Sequence, residues 1–432
     1  MSARPDERVT EVVIAGAGPT GLVAALALAQ RGVSVLVVEA GPGPSTRSRA
    51  STFHGSTLDL LGELGVADAL VARGRVASRL QYRDRDEGIV AELDYAAIAG
   101  DTAHPFRLQV EQRELTRLAY ERLRDYPHAE VVFNTTVDGV VPEPDGVVLQ
   151  AGRERFGGRW AFGADGAHSA VRRALGIEFV GTTYDRRYLT VMTDLDLARL
   201  LPGVSPVTYV WGGDQGVSLL GLRDHWRVAF RVGPEESDDE AMAAARVQQR
   251  LRAAVSADVD RYPVIERYMF AVHRRTADTF HLGRCVLVGD AAHLNSPSGG
   301  MGMNSGIHDA YAFAETIARI LHGRAGVADL AVAATERRRV AREVIGARSE
   351  RNYQDIIETN SGSRRTRRDE MRHIAGDPEL TRRYLLEASM FDSAPRPAGG
   401  PGAELRVAEP PSRTSPAGTG TTAPRPLRRS SS

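Results

Sequence analysis

Val12-Val13-Ile14-Ala15-Gly16-Ala17-Gly18-Pro19-Thr20-Gly21 decides the architecture of this 432-residue chain. It runs from an apolar strand through a glycine turn into an alanine-rich helix. Each glycine has a separate physical task in such a unit. Gly16 permits the tight turn, Gly18 lets the backbone approach a pyrophosphate on the helix N-terminus, and Gly21 lets the helix pack close to the sheet. The segment Ala17 to Thr20 lies across that helix start and belongs to the same candidate site. A second apolar strand, Val33 to Val38, ends on Glu39. That acid stands about 20 residues beyond the glycines, where it can accept hydrogen bonds from a ribose 2′-OH and would repel a 2′-phosphate. A G-x-G-x-x-G triplet alone is weak, but here strand, turn, helix, strand and acid occur in order. The tightly held nucleotide is therefore adenosine with a free ribose, as in FAD or NAD.

The length suffices for a large core and for one to three domains. Apolar content of 42% and charged content of 25% are ordinary for a globular protein. The formal net charge of +0 supplies no field to attract nucleic acid or an anionic membrane, so neither is expected as partner. No lysine occurs, so all 55 basic residues are arginine and no mechanism that needs a lysine amine can operate. Cys285 is the only cysteine, which excludes disulfides within the chain and a cysteine-based zinc cluster; no metal centre is expected. The polar start, Met1 to Arg8, lacks a signal-peptide pattern, and no apolar run is long enough to span a bilayer. A cytoplasmic location is the expectation.

Along the chain, residues 9–64 read as strand, helix, strand, loop, helix, with the loop Gly41 to Arg49 rich in Gly, Pro, Ser and Arg. Residues 76–104 look irregular or β-like. Glu111 to Arg124 has Leu115, Leu118, Ala119 and Leu123 at helical spacing. Val131 to Val137, Val147 to Leu149 and Trp160 to Ala164 read as strands. Tyr188 to Asp196 and Thr208 to Val232 are β in pattern, with a turn at Gly212-Gly213-Asp214. Glu235 to Val255 is helical, Arg284 to Gly289 a strand that buries Cys285, and Met303 to Leu321 a helix. Residues 331–391 are mostly helical and arginine-rich. From Ser393 to Ser432 the chain holds too little apolar surface to offset ordering entropy, and a disordered tail is expected.

Two further motifs put an aspartate at the C-terminal end of a strand, the edge at which α/β folds bind ligands. One is Phe162-Gly163-Ala164-Asp165-Gly166-Ala167-His168. The other is Val288-Gly289-Asp290-Ala291-Ala292-His293, continuing to Pro297-Ser298-Gly299-Gly300-Met301-Gly302-Met303-Asn304. The glycines of the latter leave backbone N–H groups bare just before a helix, which suits the electron-rich pyrimidine edge of a reduced flavin.

In identity, order and spacing the three motifs resemble those of single-component FAD-dependent aromatic monooxygenases, the group of para-hydroxybenzoate, phenol and polyketide hydroxylases. The resemblance covers roughly residues 9–320. It implies non-covalent FAD, NAD(P)H as transient co-substrate, O2, and a small aromatic or polyketide-like substrate, hydroxylated by an oxygen carried at flavin C4a. It places Asp165 near the pyrophosphate and the NAD(P)H groove, and Asp290 on the ribityl or ribose part of FAD. The N–H groups of Met303 and Asn304 would face the flavin pyrimidine. Arg49 matches an arginine beside the pyrophosphate and Gln112 a polar residue that contacts the cofactor. Pro297, with Gly299, Gly300 and Gly302 after it, would sit at the seam between flavin and substrate. His54, Tyr209 and His225 join Pro297 as candidates beside the reacting atoms, with Trp211 and Arg223 on the same expected pocket sheet. His168 and His293 read as structural.

The fold class implied is α/β: a three-layer FAD/NAD(P)-binding domain from residues 1–75, 105–180 and 275–330, with a second, β-sheet substrate domain from 76–104 and 181–274. C-terminal helices follow over 331–392, and the tail over 393–432. The arginine-rich segment Arg337 to Arg383 reads as a solvated helical face, with packing on the core or a homodimer contact as its other uses. A halogenase would need a lysine to carry the halogen, and a two-dinucleotide-domain monooxygenase a second glycine fingerprint; neither is present. Baeyer–Villiger oxygenation on the same fold and a non-catalytic flavin-binding protein stay as alternatives.

Overall fold

The apolar strand Glu7–Ala15 lies inside an eight-stranded sheet, parallel to Val35–Val38 on one side and to Glu154–Gly163 on the other. A strand covered on both faces must be apolar throughout, and Val12, Val13 and Ile14 are fully buried. Ala129–Val132 and Cys285–Leu287 extend the parallel pairing outward. Register then aligns the strand ends: Ala15 pairs with both Val38 and Gly163, and Gly163 pairs with Leu287. All three glycine motifs therefore start from the carboxyl edge of one sheet. The structure is a computed structural model that describes residues 7–46, 49–212, 216–255, 259–358 and 360–395. Arg47 and Ser48, the turn residues Gly213 and Asp214, and the expected tail from residue 396 lie outside the described residues.

Helices Pro19–Gln30, Gln112–Leu123 and Gly302–Leu321 pack together over this sheet. The first is buried all along its alanines, whose small side chains let its neighbours approach closely. A second sheet of seven strands runs in the order Glu266–Phe270, Arg187–Thr193, Trp226–Val232, Val217–Gly221, Val207–Trp211, Arg79–Asp84, Gly88–Asp94. A small sheet of Thr52–Phe53, Arg107–Gln109 and Arg75–Ala77 is formed by segments that flank the two larger ones in sequence.

Residues 76–104 are more regular than their sequence suggests. Arg79–Asp84 reads as polar because Gln81, fully buried, is a core residue with its amide satisfied by Glu92 and the Gly203 carbonyl. The helical stretch expected over 235–255 is two helices, Asp238–Met242 and Ala244–Val255, interrupted where Ala243 adopts an extended ψ of 135°. The strand expected over 131–137 ends at Val132, short of Asn134, whose φ of 56° turns the chain.

The C-terminal helices are Val327–Arg339, a π-helical stretch Val340–Ile345, Gly346–Ile357, Ser361–Gly376 and Pro378–Ala388. Their arginines divide: Arg339, Arg342, Arg351, Arg365, Arg372 and Arg383 are exposed, whereas others are held by acids. Arg337 pairs with Asp309, Arg348 with Asp392, Arg368 with Asp84 and Arg382 with Asp101, so the segment is tied to the core. Ordered chain continues past residue 392: Ser393 is buried and its carbonyl accepts from Arg337 Nη1 at 2.6 Å. Among the described residues no helix is long and apolar enough to cross a membrane, and no group of three or more His, Cys, Asp or Glu could hold a metal ion.

Candidate functional site

The three fingerprint glycines differ in what surrounds them. Gly16 has φ +100°, and a Cβ there would meet the Ala164 carbonyl oxygen at 2.5 Å. A Cβ on Gly21 would lie 2.0 Å from the Gly16 oxygen, so this position sets how closely the helix meets the strand turn. A Cβ on Gly18 would meet nothing within 4 Å. The backbone there faces open space. The helix behind it has Pro19 at its start, no side-chain cap and no acid in its first turn. Its first internal bond is Leu22 N–H to Gly18 O, which leaves the N–H groups of Thr20 and Gly21 at the open end. Such a start is an anion site.

Glu39 accepts from the Ala17 N–H at 2.6 Å and from the Gly41 N–H at 2.8 Å. These bonds orient its carboxylate, and each oxygen keeps a further lone pair for a sugar hydroxyl. The Thr20 side chain sits against Gly289 and Gly306, where a Cβ would approach its hydroxyl within 2.8 and 3.0 Å, so the first and third motifs touch. Gln112 exchanges hydrogen bonds with the Ala50 backbone, 3.0 Å from its own N–H and 3.3 Å to its Oε1. That fixes the segment carrying Arg49, which is exposed.

Asp165 Oδ2 accepts from the Ala170 and Val171 N–H groups at 2.7 and 3.1 Å, while its Oδ1 is buried without a partner. Asp290 keeps solvent contact, yet desolvation pushes its carboxyl above the usual range against the pull of His293 and Arg49.

After Pro297, which is exposed, the chain turns through Gly299 at φ +95° and Gly300 at φ +69°. It enters the helix Gly302–Leu321 with no side-chain cap and no acid in the first turn. The first internal bond there is Ser305 N–H to Met301 O, so the N–H groups of Gly302, Met303 and Asn304 stand at the helix mouth. Asn304 has a second function that its motif did not disclose. Its buried amide donates to Thr52 O at 2.9 Å and Gly300 O at 2.7 Å and accepts from the His54 N–H at 3.1 Å. His54 both precedes the helix Gly55–Glu63 and touches this loop, with Nε2 3.0 Å from the Gly299 carbonyl. A carbonyl only accepts, so Nε2 carries the proton. Burial, with the Arg107 charge nearby, holds the imidazole well below its ordinary pKa and hence neutral. His293 is buried and hydrogen-bonded to Asp309, which also binds Arg337, so its role is structural; His168 is exposed.

Beside Gly299 opens a cavity of about 460 Å³. Tyr82, Tyr209 and Trp211 from the seven-stranded sheet form one wall, Tyr82 stacking on Trp211 with centroids 5.0 Å apart. Arg107 lies on the strand between the sheets, and Arg367 and Tyr384 come from the C-terminal helices. Tyr209 and Trp211 were expected here; His225 and Arg223 are not among the lining residues. His225 lies 3.2 Å from Glu111, and Arg223 reaches the Ala72 carbonyl. Sequence reasoning missed Tyr82, Arg107, Arg367 and Tyr384. Arg107 left a trace, being a charge inside the apolar run Pro105-Phe106-Arg107-Leu108.

The residues at the sheet edge fit a flavin dinucleotide: two uncapped helix starts, open space over Gly18, an aspartate at a strand end and a positive-φ glycine pair. Comparisons with known proteins agree. Residues 9–348 match the family described as FAD binding domain. Para-nitrophenol 4-monooxygenase of a Pseudomonas species is 30% identical over 393 residues, 88% of this chain and 96% of that protein. A 6-hydroxy-3-succinoylpyridine 3-monooxygenase of Pseudomonas putida is 32% identical over 81% of this chain and 90% of its own. Among solved structures, p-nitrophenol 4-monooxygenase from Pseudomonas putida superposes with a TM-score of 0.82 at 27% identity, over 88% of this chain and 99% of that one. Aklavinone-11 hydroxylase, solved with FAD and aklavinone, gives 0.71 at 26% identity, over 83% and 70%.

Proposed function

This chain belongs to the FAD-binding domain family, and on that premise we propose that it is an FAD-dependent aromatic monooxygenase drawing electrons from NAD(P)H and oxygen from O2. The observation that carries the reading is the aromatic-walled cavity opening onto Gly299, a residue of the loop suited to the flavin edge. FAD, when bound, would pass electrons to O2 and so activate one of its oxygen atoms for transfer to the ring, chemistry that no protein side chain provides.

The chain's own residues bind, orient and exclude water. Gly18 and the N–H groups behind it would hold the pyrophosphate, with Arg49 beside it and Asp165 at its edge. Glu39 would hold the ribose, Asp290 the ribityl chain, and Met303 and Asn304 the pyrimidine edge, while Gln112 fixes the arginine loop. Tyr82, Tyr209 and Trp211 would lie against the substrate ring. The helices Ser361–Gly376 and Pro378–Ala388 would form the far wall of the substrate site. His54, neutral and engaged with Gly299, serves as a brace and does not move a proton.

The test starts with the purified protein, which should be yellow and release FAD on denaturation. A panel of phenols and aromatic polyketides should then contain members that accelerate NAD(P)H oxidation and gain one oxygen on the ring. Lactone products would shift the reading to Baeyer–Villiger oxygenation. A folded protein that stays colourless when offered FAD would refute it.

A further inference from the structure

Arg107 is the anomaly of the cavity. It is 3% exposed, yet it lines the space and pairs with no carboxylate among the described residues. Its Nη2 donates to the Ala388 carbonyl at 3.1 Å, its Nη1 lies 3.5 Å from the Tyr209 hydroxyl, and its Nε is buried with no acceptor. Deeply placed cations elsewhere in the same wall are neutralised: Arg348 by Asp392, and Arg367 by Asp355 and Glu370. A buried guanidinium with no counter-ion is costly, and arginine cannot escape by losing its proton.

What surrounds Arg107 does not supply negative charge. Tyr82 and Tyr384 share a hydrogen bond of 2.7 Å, and the Tyr95 hydroxyl is buried beside Ser389. Burial pushes Tyr95 up to about 12 and raises Tyr82 and Tyr384 as well, so all three stay neutral at ordinary pH. The tyrosines beside Arg107 bring donors and no anion, and the carboxylates that line the cavity, Asp355, Glu370 and Glu387, form no ion pair with it among the described residues. Arg107 and Gly299 line the same cavity, and the Arg107 charge also acts on His54, which is bonded to Gly299.

We propose that Arg107 is a specificity-determining positioning residue: it takes an oxyanion of the aromatic substrate, a phenolate or a ring carboxylate, and so selects ionised substrates over their neutral analogues. The planar guanidinium gives a directed, charge-assisted contact that orients the ring as well as holding it. The inference rests on the cavity being the substrate site of the proposed hydroxylase.

The test compares two probe pairs on the FAD-loaded protein, para-nitrophenolate with para-nitroanisole and benzoate with benzamide, by flavin difference spectra and by NAD(P)H consumption. Wild type should bind at least one anion about tenfold or more tighter than its neutral partner. The pair that discriminates tells phenolate from carboxylate. Arg107→Gln should weaken the anion about 10- to 100-fold and leave the neutral probe nearly unchanged, with Arg107→Lys recovering part of the loss. If Arg107→Gln fails to fold, the wild-type pairs and Arg107→Lys still decide. Wild type indifferent to charge in both pairs, or Arg107→Gln weakening both members alike, would overturn the proposal. Tight anion binding without NAD(P)H consumption by any aromatic would instead sink the hydroxylase reading and leave the anion site standing.

Discussion

At the carboxyl edge of the eight-stranded sheet, the groups proposed to meet the cofactor are mostly backbone: the N–H groups behind Gly18 and those of Gly302, Met303 and Asn304. In the 460 Å³ cavity they are side chains, Tyr82, Arg107, Tyr209, Trp211 and Tyr384, brought from residues about 300 positions apart in the chain. The two regions adjoin at Gly299. A backbone site needs particular residue types at fixed spacing, because only glycine tolerates the required φ values and close approaches. A side-chain site needs only that the fold deliver a suitable group, and many sequences can do so. The first kind can be read locally; the second waits for the tertiary structure.

The largest expected effect probes what supports the backbone site from behind. Asp309 is fully buried and holds both His293 and Arg337 at 2.7 Å. Burial opposes its charge, but Arg337 and His293 outweigh this and hold the carboxyl below its ordinary pKa. Asp309→Ala leaves Arg337 without its counter-ion and should cost about 3–5 kcal/mol in a chemical-denaturation curve. A loss under about 1 kcal/mol would mean the triad is not what steadies the loop that begins at His293.

The glycines supply the sharpest contrast. Gly21→Ala must displace the helix from a backbone oxygen 2.0 Å away, and should cost about 1–3 kcal/mol in the apoprotein as well as FAD binding. Gly18 has φ −69° and open space, so Gly18→Ala should leave apoprotein stability unchanged or raise it by about 0.4–1 kcal/mol. It should nonetheless weaken FAD about tenfold. Equal stability losses in the two variants would erase the distinction drawn between packing glycine and ligand-facing glycine.

Acid should loosen the same region. His308 is buried against Thr57, and burial lowers its pKa to about 3, while His54 is held well below its usual value. Below about pH 6.5 the unfolded chain takes up protons that these two sites refuse. Their contribution is therefore complete above that pH and is lost as pH falls towards the folded values, at about 1.4 kcal/mol per pH unit for each histidine. Urea midpoints between pH 7 and 5 should show this slope, and His308→Asn should flatten it by one proton. An unchanged slope in that variant would contradict the buried neutral assignment.

The smallest effect belongs to the cavity. Tyr82→Phe removes the hydroxyl shared with Tyr384 and should cost about 1 kcal/mol, with FAD affinity intact and only substrate binding altered. Flavin loss in this variant would mean that the two regions are not separable.

Much of the fold at the carboxyl edge of the first sheet was legible because its residue choices are forced. Gly16, Gly18 and Gly21 each turned out to occupy a distinct steric setting, and the helix at Gln112–Leu123 followed from leucine spacing. Glu39 was recognisable, although its bonds to Ala17 and Gly41 were not. What escaped was long-range. Gln81 gave a polar strand its buried core, and Asn304 proved a brace through its side chain. The arginine-rich C-terminal helices looked solvated because their acidic partners Asp84, Asp101 and Asp309 lie more than 25 residues away in sequence. Tyr82 and Tyr384, far apart in the chain, carry no local mark of meeting.

The most direct measurement of the central claim, that one flavin serves both regions, is the oxygen balance of the holoenzyme under isotopically labelled O2 with an aromatic that stimulates NAD(P)H oxidation. The account predicts a ring-hydroxylated product carrying one labelled oxygen for each NAD(P)H consumed. NAD(P)H consumption that yields only peroxide with every aromatic offered, and never a labelled product, would contradict it.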